Sequence, residues 1–383
     1  MRKIIQFISF ALLCSWGKAF AVEQNANVYP ILSPSQEVGA FEQDIPFNGL
    51  EYKKWREHFF RKDGSKLIMN TELNQLDKQL ELVNPKGDVL LGICTKIVLY
   101  FDKGHTTEKR QAILTMFDEY RSMLKDSITF TQDRRYDWID LRQQSAPEVK
   151  EWLLPLPSDW QWEFLYKGGN REYDASNVNF SVLGKADWEE KKGRLSQLLI
   201  HFPLTFFATY HESIQDVLVR WLGYLQPVHG YAGIGTCRHL EENLAYRDAE
   251  YSVAQKYPGL EITNEISEGL ELKRDTIKGI SWQTMLSREL LDKVGGVQAL
   301  SPIKGLSVWQ AKDTYLIQAS DYPMLSGLPE SYYQLANLLK PLYSQELWYP
   351  QEVGAFEQDI PFNGLEYKKW RERFFRKDEN KEK

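Results

Sequence analysis

An α+β fold, with helices packed on mixed or antiparallel sheets, is what this sequence of 383 residues predicts. Three observations lead there. Strand-like and helix-like segments follow one another without the regular alternation that a parallel α/β sheet requires. Trp160, Trp162, Phe164 and Tyr166 recur with period two, the mark of a strand with one aromatic face. The stretch 195–235 passes from an apolar run through an amphipathic helix into a glycine-punctuated strand. That density of apolar residues makes it the core on which the other segments pack.

The chain begins with the features of an export signal. Arg2 and Lys3 supply positive charge, 4–16 is mostly apolar, and Ala19-Phe20-Ala21 has the small-x-small form of a cleavage site. Cleavage would start the mature chain near Val22 and place the protein in the periplasm; a chain that keeps its N-terminus would stay cytoplasmic. The bulky Leu13 before Cys14 disfavours a lipid anchor. Residues 22–35 read as a linker, and 67–82 as a polar helical connector.

Residues 36–63, QEVGAFEQDIPFNGLEYKKWREHFFRKD, recur at 351–378 with His58 replaced by Arg373 as the single change. Structural repeats drift, so identity this close marks a recent DNA duplication, and copies so far apart cannot stack as a solenoid. The second copy follows directly on a helical segment and is expected to be the packed one, with Trp370 and Phe374 buried and Trp55 and Phe59 looser. The domain division is therefore 1–21 signal, 22–82 linker with the first copy, 83–349 α+β domain, and 350–383 extension with the second copy.

Within the domain, 96–101 reads as a short strand and 102–106 as a turn. A helix spans 107–124, with Ile113, Phe117, Tyr120 and Leu124 on one face and Glu108 in its first turn. Residues 134–140 are charged and aromatic, and Pro147, Pro155 and Pro157 prevent any long element after them. The aromatic strand ends at Gly168-Gly169. Strands at 177–183 and 195–202 flank a lysine-rich turn. Ile214, Val217, Leu218, Trp221 and Leu222 make a helix that stops at Pro227. A weaker helix runs from Leu240 to Lys256, its stripe being Leu240, Leu244, Tyr251 and Ala254. Residues 278–291 turn and then become helical around Trp282, Met285, Leu286 and Leu290, closed by Gly295-Gly296. Residues 306–310 and 315–319 form a hairpin, and 331–342 a last core helix through Tyr332, Leu335, Leu339 and Leu342.

Composition narrows the function classes. A net charge of −6 with 26% charged residues is an ordinary soluble surface, unsuited to general nucleic-acid binding and compatible with a basic partner. The aromatic content of 13%, with 12 Trp and 20 Tyr, serves either a bulky core or an interface anchored by Trp, Tyr and Arg. No segment after the signal has the length and apolarity of a membrane span. Cys94 and Cys237 remain after signal removal; one disulfide or two buried thiols are both open, and no zinc spacing is present.

Candidate chemistry is sparse. None of the six histidines falls in a metal-binding pattern. His201 lies in an apolar run as a hydrogen-bonded core residue, and His229 precedes Gly230, whose turn it orients. His211-Glu212 with Asp216 is a common pattern on solvated helices. Gly230, Gly233 and Gly235 resemble a phosphate nest only loosely, without the residues of a P-loop or the spacing of a dinucleotide fingerprint. No catalytic, cofactor-binding or metal-binding residue is assigned. A hydrolase using His201, His211 or His229 with carboxylates is one alternative, and a generic protein- or nucleic-acid-binding module another.

Several separated pieces resemble the type VI secretion immunity proteins associated with VRR-NUC nuclease effectors. They are VLYFDKGHTTEKRQAI at 98–113, EWLLPLPSDWQWEFLYKGG at 151–169, LLIHFPLTFF at 198–207, QPVHGYAGIG at 226–235, YPGLEI at 257–262, IKGISWQTML at 277–286, VGG at 294–296 and YLIQAS at 315–320. Trp370 to Phe374 is similar to the family's closing Trp-x-x-Arg-Phe element. The resemblance covers roughly 90–376. It implies a protein that protects a bacterium by binding an antibacterial effector tightly, with no cofactor and no direct nucleic-acid substrate. Ser320 stands where the family pattern leads one to expect glycine, and 325–330 lacks the expected Gly-Asp pair. The export signal fits an envelope-acting toxin, whereas a nuclease antidote belongs in the cytoplasm.

Overall fold

The computed structural model describes residues 77–78, 80–240, 247–262, 272–345 and 364–375. The signal-like segment, Cys14, the linker, the first repeat copy with Trp55 and Phe59, most of 67–82, and Leu244 lie outside the described residues.

Thirteen residues, Val89–Phe101, form the central strand β2, preceded by the short β1 at Leu82–Val83. Nine further strands follow: β3 Phe130–Gln132, β4 Trp138–Asp140, β5 Trp162–Lys167, β6 Asn179–Gly184, β7 Ser196–Phe202, β8 His229–Arg238, β9 Gln283–Ser287, β10 Ser307–Ala311 and β11 Thr314–Gln318. They make one antiparallel sheet in the order β10-β11-β9-β8-β2-β7-β6-β5-β3-β4, with β1 paired beside β2. The α+β class with an antiparallel sheet and packed helices is therefore the observed architecture.

Residues directly opposite across strands share a face. Ile97, Ile200, Phe180 and Tyr166 line up across β2, β7, β6 and β5, and so do Leu99, Leu198, Val182 and Phe164. On this apolar face lie helix α1, Thr107–Leu124, and helix α2, Ile214–Leu225. Phe117 meets the rings of Phe164, Tyr166 and Phe180 at centroid separations of 5.2, 4.6 and 5.2 Å. Trp221 stacks on Phe202 at 6.2 Å. Both helices start where their caps dictate. The Thr106 side chain accepts from the Lys109 N–H, and Ser213 with Asp216 closes a capping box. Gln226 at φ 47° ends α2 in the left-handed conformation, just before Pro227.

The opposite face carries a polar row. Lys167, Asn179, His201 and Lys96 are aligned across β5, β6, β7 and β2 and are all buried. The loop after β5 covers part of the row: Lys167 Nζ donates to the carbonyls of Glu172 and Asp174, and Asp174 is itself held by the N–H groups of Val89, Asn170 and Arg171. Desolvation brings the Lys167 ammonium down to a pKa of about 8.

Several expectations are corrected here. The segment around Met285 and Leu286 is strand β9, followed by a short helix at Arg288–Asp292. β9 lies between β8 and β11 and buries Gln283 and Thr284 along with Met285 and Leu286, so it lacks the polar-apolar alternation that would have betrayed a strand. The strand expected at 96–101 starts seven residues earlier. Trp160 precedes β5, the lysine-rich turn holds a short helix at Asp187–Glu190, and Leu240 is exposed ahead of helix α3 at Arg247–Lys256. The last core helix is Glu330–Leu339, giving way to a 3₁₀ turn at Lys340–Leu342 that holds Pro341. The hairpin at 306–319 forms with a two-residue turn, Lys312 taking φ 53°.

Candidate functional site

At the β4 edge of the sheet, three pieces of chain enclose a cleft of about 540 Å³. The β3–β4 hairpin forms one wall, the turn at 84–88 another, and the loop at 170–173 the floor. Each piece is locally determined. Asn84 Oδ1 accepts from the N–H groups of Lys86 and Asp88, an Asx turn that fixes the first. Asp133 does the same for the hairpin tip by accepting from Arg135 and Asp137, and leaves Tyr136 at φ 67°. Asp174 organises the floor.

Aromatic rings run through the cleft. Phe130 meets Trp138 at 6.4 Å and Trp138 meets Tyr173 at 5.6 Å, both edge-on, while Tyr173 tilts against His239 at 6.1 Å. Two half-exposed arginines flank them, each already held by a carboxylate. Arg142 binds both oxygens of Asp140 at 2.8 Å, and its guanidinium lies 4.8 Å from the Phe130 ring centre. Arg171 pairs with Asp88. The Arg142 hydrogen bonds hold the Asp140 carboxyl down to a pKa of about 2. The N–H of exposed Leu240 donates to the Tyr173 carbonyl at 3.0 Å. Aromatic rings beside arginines fixed in place are the ingredients of an interface hot spot with little ordering cost.

A second cluster is buried and internal. Helix α4, Gly364–Arg371, lies in the second copy of the repeat, and Tyr367, Trp370, Arg371 and Phe374 are all buried. Glu261 is the hub, pairing with Lys278 and with Arg373, each at 3.1 Å. Lys278 also donates to the Tyr231 hydroxyl at 3.1 Å and the Ile262 carbonyl at 2.6 Å. Arg373 lies 3.5 Å from the centre of the Trp370 ring and donates to the carbonyls of Pro258 and Trp370. Burial lowers its guanidinium pKa, opposed by Glu261. The cavity within the cluster is only about 10 Å³. This is a clasp for the C-terminal helix and leaves no room for a substrate.

The histidines singled out in the sequence are not brought together. His201 is buried on β7 with Nδ1 3.0 Å from the Ser176 carbonyl. His229 is buried on β8; its Nε2 accepts from the Lys278 N–H at 3.3 Å, which leaves Nδ1 protonated toward the Met285 carbonyl at 3.1 Å. His211 is exposed beside Tyr210. Gly230, Gly233 and Gly235 are interior to β8 and paired with β2, so they form no nest. A Cβ at Gly235 would sit 3.0 Å from the Glu261 carbonyl oxygen, which explains that glycine by close approach. Cys94 and Cys237 are free, buried thiols, and burial pushes the Cys94 pKa up. Among the described residues no group of three metal-ligating side chains gathers.

Burial takes the His201 pKa down to about 3, from an unperturbed value near 6.5. Between those values the unfolded chain binds a proton that the folded chain refuses. Stability from this group is complete above pH 6.5 and is lost as pH falls toward 3. His201→Asn is expected to flatten the melting-temperature profile between pH 6.5 and 4; an unchanged slope would show that His201 does not control it.

The sequence model of the TsiV family, described as type VI immunity for VRR-NUC, matches residues 112–374. The chain belongs to this family. It is a type VI secretion immunity protein, and its partner is a cognate effector. The match starts downstream of the first repeat copy and ends at Phe374, inside the second. A solved structure, Pseudomonas aeruginosa T6SS protein PA0821, superposes with a TM-score of 0.70 at 23% identity. It covers 82% of this chain and 92% of that one, a likeness of fold. No curated protein matches. Among the described residues of this TsiV-family chain, no helix is long and apolar enough to cross a membrane. Ser320, where glycine is expected, uses its hydroxyl to donate to the Tyr322 carbonyl at 2.7 Å.

Sequence reasoning missed the cleft. Its residues come from four separate stretches between Lys86 and His239, and only the charged aromatic run at 134–140 hinted at it. It also missed Glu261 and Lys278, whose partners are set by the fold.

Proposed function

We propose that this protein neutralises its effector by stoichiometric binding, without catalysis, and that the cleft at the β4 edge is the contact face. The observation that carries this reading is the Phe130–Trp138–Tyr173 ladder with Arg142 and Arg171 fixed beside it. Such a surface loses little freedom on binding, which is what a tight inhibitor needs. The non-catalytic part is supported by His201 and His229, whose rings are engaged by backbone groups in separate surroundings.

The compartment proposed is the periplasm, on the strength of Arg2-Lys3, the apolar run and Ala19-x-Ala21 acting as one signal. The effector would then act on the envelope. The family description favours a second reading, a nuclease antidote retained in the cytoplasm. Cell fractionation with N-terminal sequencing separates the two. A chain beginning near Val22 in the periplasm supports export; a chain beginning at Met1 in the cytosol overturns it and restores the nuclease reading.

A further inference from the structure

The two repeat copies differ at one position, and that position is Arg373, the residue that locks α4 into its groove. The other clasp side chains of the second copy have counterparts in the first: Tyr52 for Tyr367, Trp55 for Trp370, Arg56 for Arg371 and Phe59 for Phe374. Glu51 likewise matches Glu366, which accepts from the Tyr251 hydroxyl at 2.9 Å. The chain thus carries two near-identical ligands for one groove.

The first copy precedes Leu80 in the chain, with its last proposed groove residue 20 positions upstream. Leu80 packs against the cluster of Ile93, Leu204, Ile234 and Leu260, and Leu260 lies on the loop whose Pro258 and Glu261 grip Arg373. From Phe60 to Leu80 is a reach of up to about 70 Å when extended. That reach is enough for the first copy to compete for the groove within one chain.

We propose that residues 49–60 are an alternative occupant of the α4 groove, and that Arg373 against His58 decides which copy holds it. Arg373 satisfies Glu261, the Pro258 and Trp370 carbonyls and the Trp370 ring at once. An imidazole has fewer donors, a shorter reach and mostly no charge at pH 7. The second copy wins for that reason, and the groove is a selective receptor for a segment of its own chain.

The test uses the full chain with Cys14→Ser and a cysteine at Tyr251, paired with a cysteine either at Glu366 or at Glu51. Cys94 and Cys237 are buried and out of reach of a short bis-maleimide. With Arg373 and His58 unchanged, position 251 is expected to cross-link to 366 and scarcely to 51. His58→Arg, which leaves the native clasp intact, should raise the 51 cross-link at least about tenfold, since a charge-assisted contact is worth that factor or more. Arg373→His should lower the melting temperature, and adding His58→Arg should recover it while moving the cross-link from 366 to 51. No cross-link to 51 in any background, or no recovery by His58→Arg, would overturn the proposal. A cross-linked dimer in place of the internal link would overturn its single-chain form.

Discussion

Replacing Glu261 by alanine is expected to destabilise the fold by about 3–5 kcal/mol, the usual cost of removing one partner from a buried ion pair. Glu261 is buried and is the shared counter-charge of Lys278 and Arg373. Without it, both cations stay in a site whose cavity of about 10 Å³ admits at most about one water. The cost is therefore uncompensated charge more than lost attraction. The melting temperature should fall by roughly 10 °C for a domain of this size. Arg220→Ala is the contrast. Its partners Glu119 and Glu212 are partly exposed, so the loss should stay near or below about 1 kcal/mol. Thermal unfolding of the two variants checks this. Equal small losses would mean that the clasp takes in water and that Arg373 does not anchor the C-terminal helix.

Trp138→Ala combined with Arg171→Glu is expected to weaken effector binding by about a hundredfold or more, two hot-spot losses of about 2 kcal/mol each being reduced by their proximity. Trp138 joins the ladder between Phe130 and Tyr173, and Arg171 is held ready by Asp88. The reversal at Arg171 sets a negative charge beside Asp88 and repels whatever acidic group the arginine would meet. Arg171 is half exposed, so folding should change little. Arg288→Ala, at the β10–β11 end of the sheet away from β4 and paired with Asp313, serves as a surface control and should bind as the unaltered protein does. Titration of each variant against purified effector gives the affinities. Unchanged binding by the double variant would remove the cleft as the contact face.

Much of the fold was legible because its signals are local. Thr106, Ser213 and Pro227 mark ends of α1 and α2 in the sequence, and the apolar faces of both helices are those buried in the structure. The aromatic alternation of β5 survives because only one of its faces meets helices. β9 was illegible for the converse reason: with both faces covered, Gln283 and Thr284 are buried beside Met285 and Leu286, and no alternation marks the strand. The start of β2 was hidden by Gly92, Cys94 and Thr95, small or polar residues that a central strand tolerates when its neighbours approach closely. The C-terminal clasp was half legible. Trp370 and Phe374 announced burial, but Glu261 and Lys278 acquire their roles only when the chain brings them within 3.1 Å. The cleft was least legible, since its turns are made by Asn84, Asp133 and Asp174, which read separately as ordinary loop residues.

This TsiV-family chain protects by holding its effector. Co-expression of this protein with its cognate effector, followed by purification of the effector, is the decisive measurement. Surviving cells are expected, with a stable one-to-one complex that the Trp138→Ala, Arg171→Glu variant fails to form. Continued killing with this protein abundant and folded, or protection with no complex recovered, would contradict it.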